Sequence, residues 1–400
     1  MDLEAFRWLL TAEGQQTLGE ATRLHADGAH PIRAGELLRR SVAPERAAAA
    51  MTQVTLRLAA RTKFGADAAR MYFTPDGLEQ STRAEVAAHR AARISFARPA
   101  SVLDLGCGIG GDLVALSRTG TLTAGVDADP VRAAVAGANL AALDLPGAVL
   151  VRDATALDLS GFGVVFADPA RRTSTARVFD VDAYTPPWSF VQQLLARPAC
   201  VKVAPGVPHE RIPDGVEGEW VSYAGDVKEA VMWSPHLATT RRRATVVAPR
   251  GLATLTSEDD PGPGEARALG RYLFEPDGAV IRAGLVTAVA AQVGGWLLDE
   301  HIAYLSADDP AASPYARCFE VLEELPYHEK QLKAALRTRG IGTLTIKKRG
   351  VDVVPERLRA RLALRGDQEA TLVMTRVLGR GTALLVRPLP RSRPTRLPAV

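Results

Sequence analysis

Three carboxylates in this sequence stand where chemistry could use them. Asp104 lies within Ser-Val-Leu-Asp-Leu-Gly-Cys-Gly-Ile-Gly (101–110), two residues before Gly106, with Gly108 and Gly110 following at every second position. Asp127 comes 21 residues after Gly106, and Asp168 opens the run Asp168-Pro169-Ala170-Arg171-Arg172. Glycines spaced this way adopt backbone angles closed to other residues and let a ligand approach the main chain. A strand, a glycine turn and a helix in that order begin a nucleotide-binding unit. An acid about 20 residues beyond the first glycine can accept hydrogen bonds from both ribose hydroxyls. A carboxylate at Asp104 would repel a pyrophosphate and suits a cationic, amino-acid-like group. Asp168 and the carbonyl after it offer two acceptors for an amine, in a turn stiffened by Pro169. On the glycine turn alone, a Rossmann-like turn with another ligand, or none, stays open.

The elements that would position these groups alternate. Val102, Leu103 and Leu105 form a short buried strand and Asp112 to Arg118 a helix. Thr121 to Val126 is the next strand and ends on Asp127. Pro130 to Leu143 is an alanine-rich helix with proline in its tolerated first turn. Ala148 to Val151 is a strand ending near Asp153-Ala154, and Val164 to Phe166 one ending on Asp168. Ala199 to Val203 is a fifth strand, and Glu219–Ala224 and Glu229–Ser234 read as a hairpin that closes the sheet. Open sheets of this kind bind ligands beyond the carboxyl ends of their strands, where all three carboxylates fall. Upstream, residues 1 to about 95 show helical spacing.

The run Asp104-Leu105-Gly106-Cys107-Gly108-Ile109-Gly110, followed by Asp127, resembles the first two motifs of class I S-adenosylmethionine (SAM)-dependent methyltransferases. The resemblance implies a Rossmann-like sheet and SAM as cofactor, held by Asp104, Gly106, Cys107, Gly108, Gly110, Asp127, Ala128, Asp153 and Ala154. Asp153 would receive the adenine amino group; a plain helix cap is the competing role. The fourth-strand end would carry catalysis, with Asp168 and Pro169 orienting a target amine. Methyltransferases acting on a base amine usually have Asn-Pro-Pro-aromatic or Asp-Pro-Pro there; this chain departs with Ala170-Arg171. Trp188, or Tyr184, is then the candidate stacking face for a base. Arg171 and Arg172 are candidates to hold phosphate or to form an ion pair at a helix start. Gly77-Leu78, Thr82, Val86-Ala87 and His89 resemble the segment before the glycine motif in the trimethylguanosine synthase group of RNA methyltransferases. That marks Thr82, and less surely Gln80, as lining the cofactor site, or else only capping a helix; Arg83 replaces the proline of that group's Thr-Pro pair.

Charge divides unevenly. From Ala311 onward there are 18 Lys and Arg against 8 Asp and Glu, a net of +10, while the first 310 residues carry a net of −6. A basic C-terminal part suggests a polyanion partner or a solvated arginine-rich surface. From Cys318 to Pro388 the pattern reads βαβαββ, and Gly342 to Gly350 places Lys347, Lys348 and Arg349 at a strand end suited to a phosphate backbone. The whole chain resembles bacterial class I methyltransferases with a C-terminal THUMP-like domain. True THUMP domains belong to RNA-modifying enzymes and bind tRNA, so the resemblance implies methylation of a base amine in tRNA or rRNA. A small-molecule or protein methyltransferase with a structural C-terminal domain is the alternative. The expected layout is an N-terminal helical cap (1–95), the methyltransferase domain (96–250), a linker or extension (251–315) with a helix around Val286 to Leu298, the basic THUMP-like domain (316–390) and a tail (391–400).

Other chemistries find less support. Cys107, Cys200 and Cys318 have no paired spacing, which fits a reducing cytoplasm, and none is well placed as a nucleophile. The seven histidines show no ligand spacing, so no metal is expected. The apolar run 283–298 is too short to span a bilayer. The acidic start Met1-Asp2-Leu3-Glu4 is unlike a signal peptide, so a cytoplasmic protein is expected.

Overall fold

A computed structural model describes residues 2–171, 184–249 and 251–390, the side chains of Ala170, Arg171 and Tyr184 excepted. The chain separates into two units, Met1–Val216 with Val231–Ala238, and Glu217–Ala230 with Thr239–Val400.

The first unit begins with α1 (Leu3–Leu9), α2 (Ala12–Ala26), α3 (Pro31–Leu38) and α4 (Pro44–Phe64), then α5 (Pro75–Gln80) and α6 (Ala84–Phe96). Their starts follow local chemistry. Asp2 and Thr11 accept hydrogen bonds from backbone N–H groups of the first turns of α1 and α2, and Pro31 and Pro44 open α3 and α4. Next come β1 (Ser101–Leu105), α7 (Gly111–Ser117), β2 (Leu122–Asp127), α8 (Pro130–Ala142), β3 (Ala148–Val151) and β4 (Val164–Ala167). A two-stranded ribbon, β5 (Ala170–Arg171) with β6 (Tyr184–Thr185), precedes α9 (Trp188–Leu195) and β7 (Ala199–Val203). The strands run in the order β7-β4-β1-β2-β3 and pair in parallel. The order reverses between β1 and β4, so their carboxyl ends flank the crevice where such sheets bind ligands.

Phe6, Leu9, Leu18, Val54, Phe64 and Phe73 from the helical layer pack with Ile109, Leu113, Val135 and Leu140 of the sheet layer. Two buried amides lock this contact. Gln53 donates to the Phe73 carbonyl (2.7 Å) and accepts from the Phe73 N–H (3.0 Å). Asn139 accepts from the Tyr72 N–H (2.7 Å) and donates to the carbonyls of Tyr72 (3.0 Å) and Ile109 (2.8 Å). The helical layer is thereby tied to the glycine turn itself through Ile109.

In the second unit β8 (Glu217–Tyr223) turns at Ala224-Gly225 into β9 (Asp226–Trp233), whose last residues belong to the first unit. β10 (Arg242–Ala248) pairs in parallel with β8 and antiparallel with β11 (Gly251–Thr256). Then follow β12 (Tyr272–Pro276), α10 (Gly278–Ala283), α11 (Val286–Gln292), β13 (Trp296–Asp299) and β14 (Ile302–Ala307). The C-terminal run is β15 (Ala316–Leu325), α12 (Glu329–Thr338), β16 (Ile341–Lys348), α13 (Pro355–Leu362), β17 (Gln368–Val377) and β18 (Arg380–Pro388). That is the expected βαβαββ order.

Two features differ from expectation. The helix expected through Leu298 ends at Gln292, because Gly294 takes the left-handed conformation (φ +64°) and Trp296–Asp299 continues as a strand. Residues 272–307, expected as linker or extension, supply three strands to the same sheet as the C-terminal run, in the order β13-β14-β12-β15-β18-β17-β16. No helix among the described residues is long and apolar enough to cross a membrane.

Candidate active site

The glycine turn is built around Asp127. Its Oδ2 accepts from the Gly108 N–H (2.9 Å) and its Oδ1 from the Asp129 N–H (2.9 Å). The N–H groups of Gly106 and Cys107 both donate to the Val126 carbonyl, at 2.8 and 2.9 Å. Gly110 has φ +82°, and a Cβ there would stand 3.1 Å from the Ala136 methyl and 3.2 Å from its Cα. Only glycine satisfies both demands at that position. Each Asp127 oxygen keeps a second lone pair for a ligand hydroxyl.

Asp104, at the end of β1, is buried to 1% exposure, and its Oδ2 has no hydrogen-bond partner among the described residues. Burial pushes its carboxyl well above the usual carboxylate range. The neighbouring carboxylates of Asp112, Asp168 and Asp127 add to the rise, and Arg90 opposes it. A buried acid with an unmet oxygen is a place for a cationic donor.

Asp168, at the end of β4, stands at one end of a chain of polar contacts. Lys202 Nζ lies 2.6 Å from Asp168 Oδ2 and donates to Thr82 Oγ1 at 3.2 Å. Thr82 in turn donates to Asp112 Oδ2 (2.8 Å), and Asp112 pairs with Arg90. The Arg90 guanidinium lies 4.6 Å from the centre of the Phe166 ring, two residues before Asp168. A Cβ on Gly106 would lie 3.8 Å from the Asp168 carbonyl oxygen, which places the fourth-strand end against the glycine turn. Asp104, Gly106, Gly108, Thr82, Asp127, Asp168 and the buried Pro169 are thus gathered at one end of the sheet.

Lys202, Asp112 and Arg90 were not expected. Their signals lie in charges on apolar faces. Lys202 interrupts the otherwise apolar strand Ala-Cys-Val-Lys-Val. Arg90 occupies a core-facing position of α6 beside Val86, Ala87, Ala91 and Ile94. A charge in such a position must be paired.

The other expected residues lie as follows. Asp153 is exposed and caps a short turn, accepting from the Thr155 N–H (2.8 Å) and hydroxyl (2.7 Å), which hold its carboxyl below the usual range. Ala128 is exposed and Ala154 half-buried. Trp188, expected in a loop, begins α9 behind Pro187 and is half-buried. Gln80 ends α5 and is exposed. Arg172 and the side chains of Arg171 and Tyr184 lie outside the described residues. All three cysteines are buried, and burial raises the thiols of Cys107 and Cys318. Lys347, Lys348 and Arg349 do not act as one basic cluster: Lys348 is exposed, whereas Lys347 pairs with Glu275 (2.6 Å) and Arg349 lies over Tyr304. Alternation along a strand sends neighbours to opposite faces. Among the described residues no group of three His, Cys, Asp or Glu side chains could hold a metal ion.

Comparisons with known proteins agree with this geometry. A family model described as THUMP domain-like matches residues 316–388, and one described as a domain of unknown function matches residues 2–60. The chain is similar to a protein named as an uncharacterized S-adenosylmethionine-dependent methyltransferase in two strains of Mycobacterium tuberculosis, CDC 1551 / Oshkosh and H37Rv. The identity is 40% over 326 residues, covering 79% of this chain and 88% of the relative. A crystal structure of a Porphyromonas gingivalis W83 protein, proposed to be a methyltransferase, has the same fold: TM-score 0.76 at 22% identity, covering 94% of this chain and 99% of that one. With a Rossmann-like α/β sheet, an N-terminal helical layer and a C-terminal THUMP-like domain, this chain belongs to the S-adenosylmethionine-dependent methyltransferases.

Proposed function

We propose that this enzyme methylates an exocyclic amine of a base in tRNA or rRNA. The observation that carries the reading is Asp168 at the end of β4, held by Lys202 and set against the glycine turn. Lys202 engages Oδ2, which leaves Oδ1 and the main-chain carbonyl as acceptors for the two hydrogens of an amine. Accepting both hydrogens directs the amine lone pair away from the protein surface that holds it. The Lys202 ammonium offsets the carboxylate charge and restrains its rotation.

The residues of the crevice fit SAM. Asp104 presents a buried oxygen with an unmet hydrogen bond to the ammonium of the amino-acid end, Gly106, Cys107 and Gly108 let the main chain approach, and Asp127 accepts from the ribose hydroxyls. Thr82 lines the site through its contacts with Lys202 and Asp112. Asp153 keeps its Oδ2 for the adenine amino group. Bound SAM supplies a methyl group on a cationic sulfur. The protein's part is to orient the acceptor and exclude competing nucleophiles.

The RNA assignment draws on the THUMP-like match at residues 316–388 and on the +10 charge beyond Ala311. Arg171, Trp188 and the exposed Lys348 are proposed substrate contacts. Affinity carried by phosphate contacts falls steeply with salt. The test offers the purified protein methyl-labelled SAM with unmodified tRNA, unmodified rRNA, a protein lysate and a metabolite extract in parallel. Label on one RNA nucleoside supports the reading, and label only in protein or metabolites overturns it.

A further inference from the structure

Glu275 on β12 and Arg317 on β15 are direct partners in an antiparallel pair, so their side chains leave the sheet on one face. β16 lies at the far end of the strand order, four places from β12. In a flat sheet that separation would be about 19 Å, at roughly 4.8 Å per strand. Yet Lys347 Nζ reaches Glu275 Oε2 at 2.6 Å and lies 5.7 Å from the centre of the Phe319 ring on β15. Arg349, one residue past β16, lies 5.4 Å from the centre of the Tyr304 ring on β14. The sheet therefore curls over itself. Beside the curl lies a cavity of about 410 Å³, walled by Glu275, Arg317, Lys347, Arg349 and Tyr315 and bordered by the turn at Ala224–Asp226. Its volume falls within the range of small-molecule sites, about 300–1,000 Å³.

The charges on its wall are unequally satisfied. Glu275 is taken by Lys347. Asp226 pairs with Lys228 (3.3 Å), and Asp277 accepts from the Ala279 N–H (2.9 Å). The guanidiniums are not matched in this way. Among the described residues neither Arg317 nor Arg349 has a carboxylate within ion-pair distance, and the buried Nε of each has no hydrogen-bond partner. They rest instead on aromatic rings, Arg317 over Phe319 (5.0 Å) and Arg349 over Tyr304, whose hydroxyl shares a hydrogen bond with it. Two guanidiniums seated on aromatic rings, each with its buried Nε–H unspent, match the oxygens of a phosphoryl group.

We propose that this cavity is a phosphate-binding site for a nucleotide, gripped by Arg317 and Arg349. Lys347 is held back by Glu275. The phosphate belongs either to a free nucleotide or to the end of an RNA chain. The site is independent of methyl transfer, so it stands or falls apart from the RNA-methylation reading.

Calorimetric titration of the full-length protein tests this with adenosine 5′-monophosphate against adenosine, and a short RNA with a 5′-phosphate against the same RNA with a 5′-hydroxyl. The phosphate-bearing member of at least one pair binds more tightly. Arg317→Gln and Arg349→Gln each weaken it about tenfold or more, the scale of one lost charge-assisted contact, while SAM affinity is unchanged. Glu275→Gln, which removes an opposing charge and frees Lys347, tightens it severalfold. Tighter binding of the monophosphate assigns a free nucleotide, and tighter binding of the phosphorylated RNA assigns an RNA end; either supports the site. Absence of any phosphate preference, indifference to both arginine substitutions, or weakening by Glu275→Gln overturns it.

Discussion

Lys202 Nζ stands 2.6 Å from Asp168 Oδ2 and 3.2 Å from Thr82 Oγ1, which joins the fourth-strand carboxylate to the segment that precedes the first strand. The Lys202 and Asp168 side chains are 17% and 34% exposed, so the pair is partly screened and contributes orientation more than stability. Lys202→Met is expected to lower kcat by about 10- to 100-fold, the scale of a misplaced positioning group. KM for the RNA should move much less. Lys202→Arg should recover part of the loss. A change confined to KM would reassign Lys202 to substrate binding.

The proposed contact of Asp104 with SAM ties cofactor binding to pH. Its carboxyl is raised in the folded state, so the folded protein holds this proton more firmly than the unfolded chain. Below about pH 4, the unfolded value, burial of the neutral acid costs no ionisation. As pH rises from there toward the raised folded value, the ligand-free protein loses stability. Asp104→Asn should remove that slope and raise the melting temperature at neutral pH, by an effect on the order of 1–3 kcal/mol. SAM affinity should fall. Melting curves across pH, with and without SAM, check both directions; a less stable ligand-free variant at neutral pH would contradict the assignment.

Gly110→Ala places a methyl group against Ala136 in a left-handed backbone. The conformation alone costs roughly 1–2 kcal/mol, and the 3.1 Å contact adds to it. Urea denaturation should show at least that loss, with SAM binding weakened as the turn shifts.

Asn139→Ala would leave the Tyr72 N–H and the carbonyls of Tyr72 and Ile109 without their buried partner. Each stranded group costs about 1–3 kcal/mol, so this variant should be among the least stable single substitutions in the first unit. Chemical denaturation that shows less than 1 kcal/mol of loss, a bound taken from the same scale, would mean that water replaces the amide.

Much of this arrangement was legible in the residues. Asp104, the alternating glycines and Asp127 have a local cause, a strand and turn read directly from spacing, and parallel pairing follows from alternation with helices. The polar chain from Asp168 to Arg90 was not legible, because its members come from the end of β4, from β7, from the segment between α5 and α6, from α7 and from α6, and meet only on folding. The same holds for Lys347 and Arg349. Adjacent basic residues looked like one patch, but Lys348 is exposed at the end of its strand and the curl of the sheet brought Glu275 to Lys347. The helix expected through Leu298 failed at Gly294-Gly295, where an apolar run of helical length contains its own breaker.

The most direct test of the central claim is transfer of labelled methyl from SAM to unmodified RNA by the wild-type protein and by Asp168→Ala, both saturated with SAM. The account predicts label on the exocyclic nitrogen of one base with the wild type, and a loss of at least about 100-fold in Asp168→Ala, comparable to removal of a positioned transition-state contact, with SAM still bound. Label on a carbon or ribose position, or an Asp168→Ala rate equal to wild type, would contradict it.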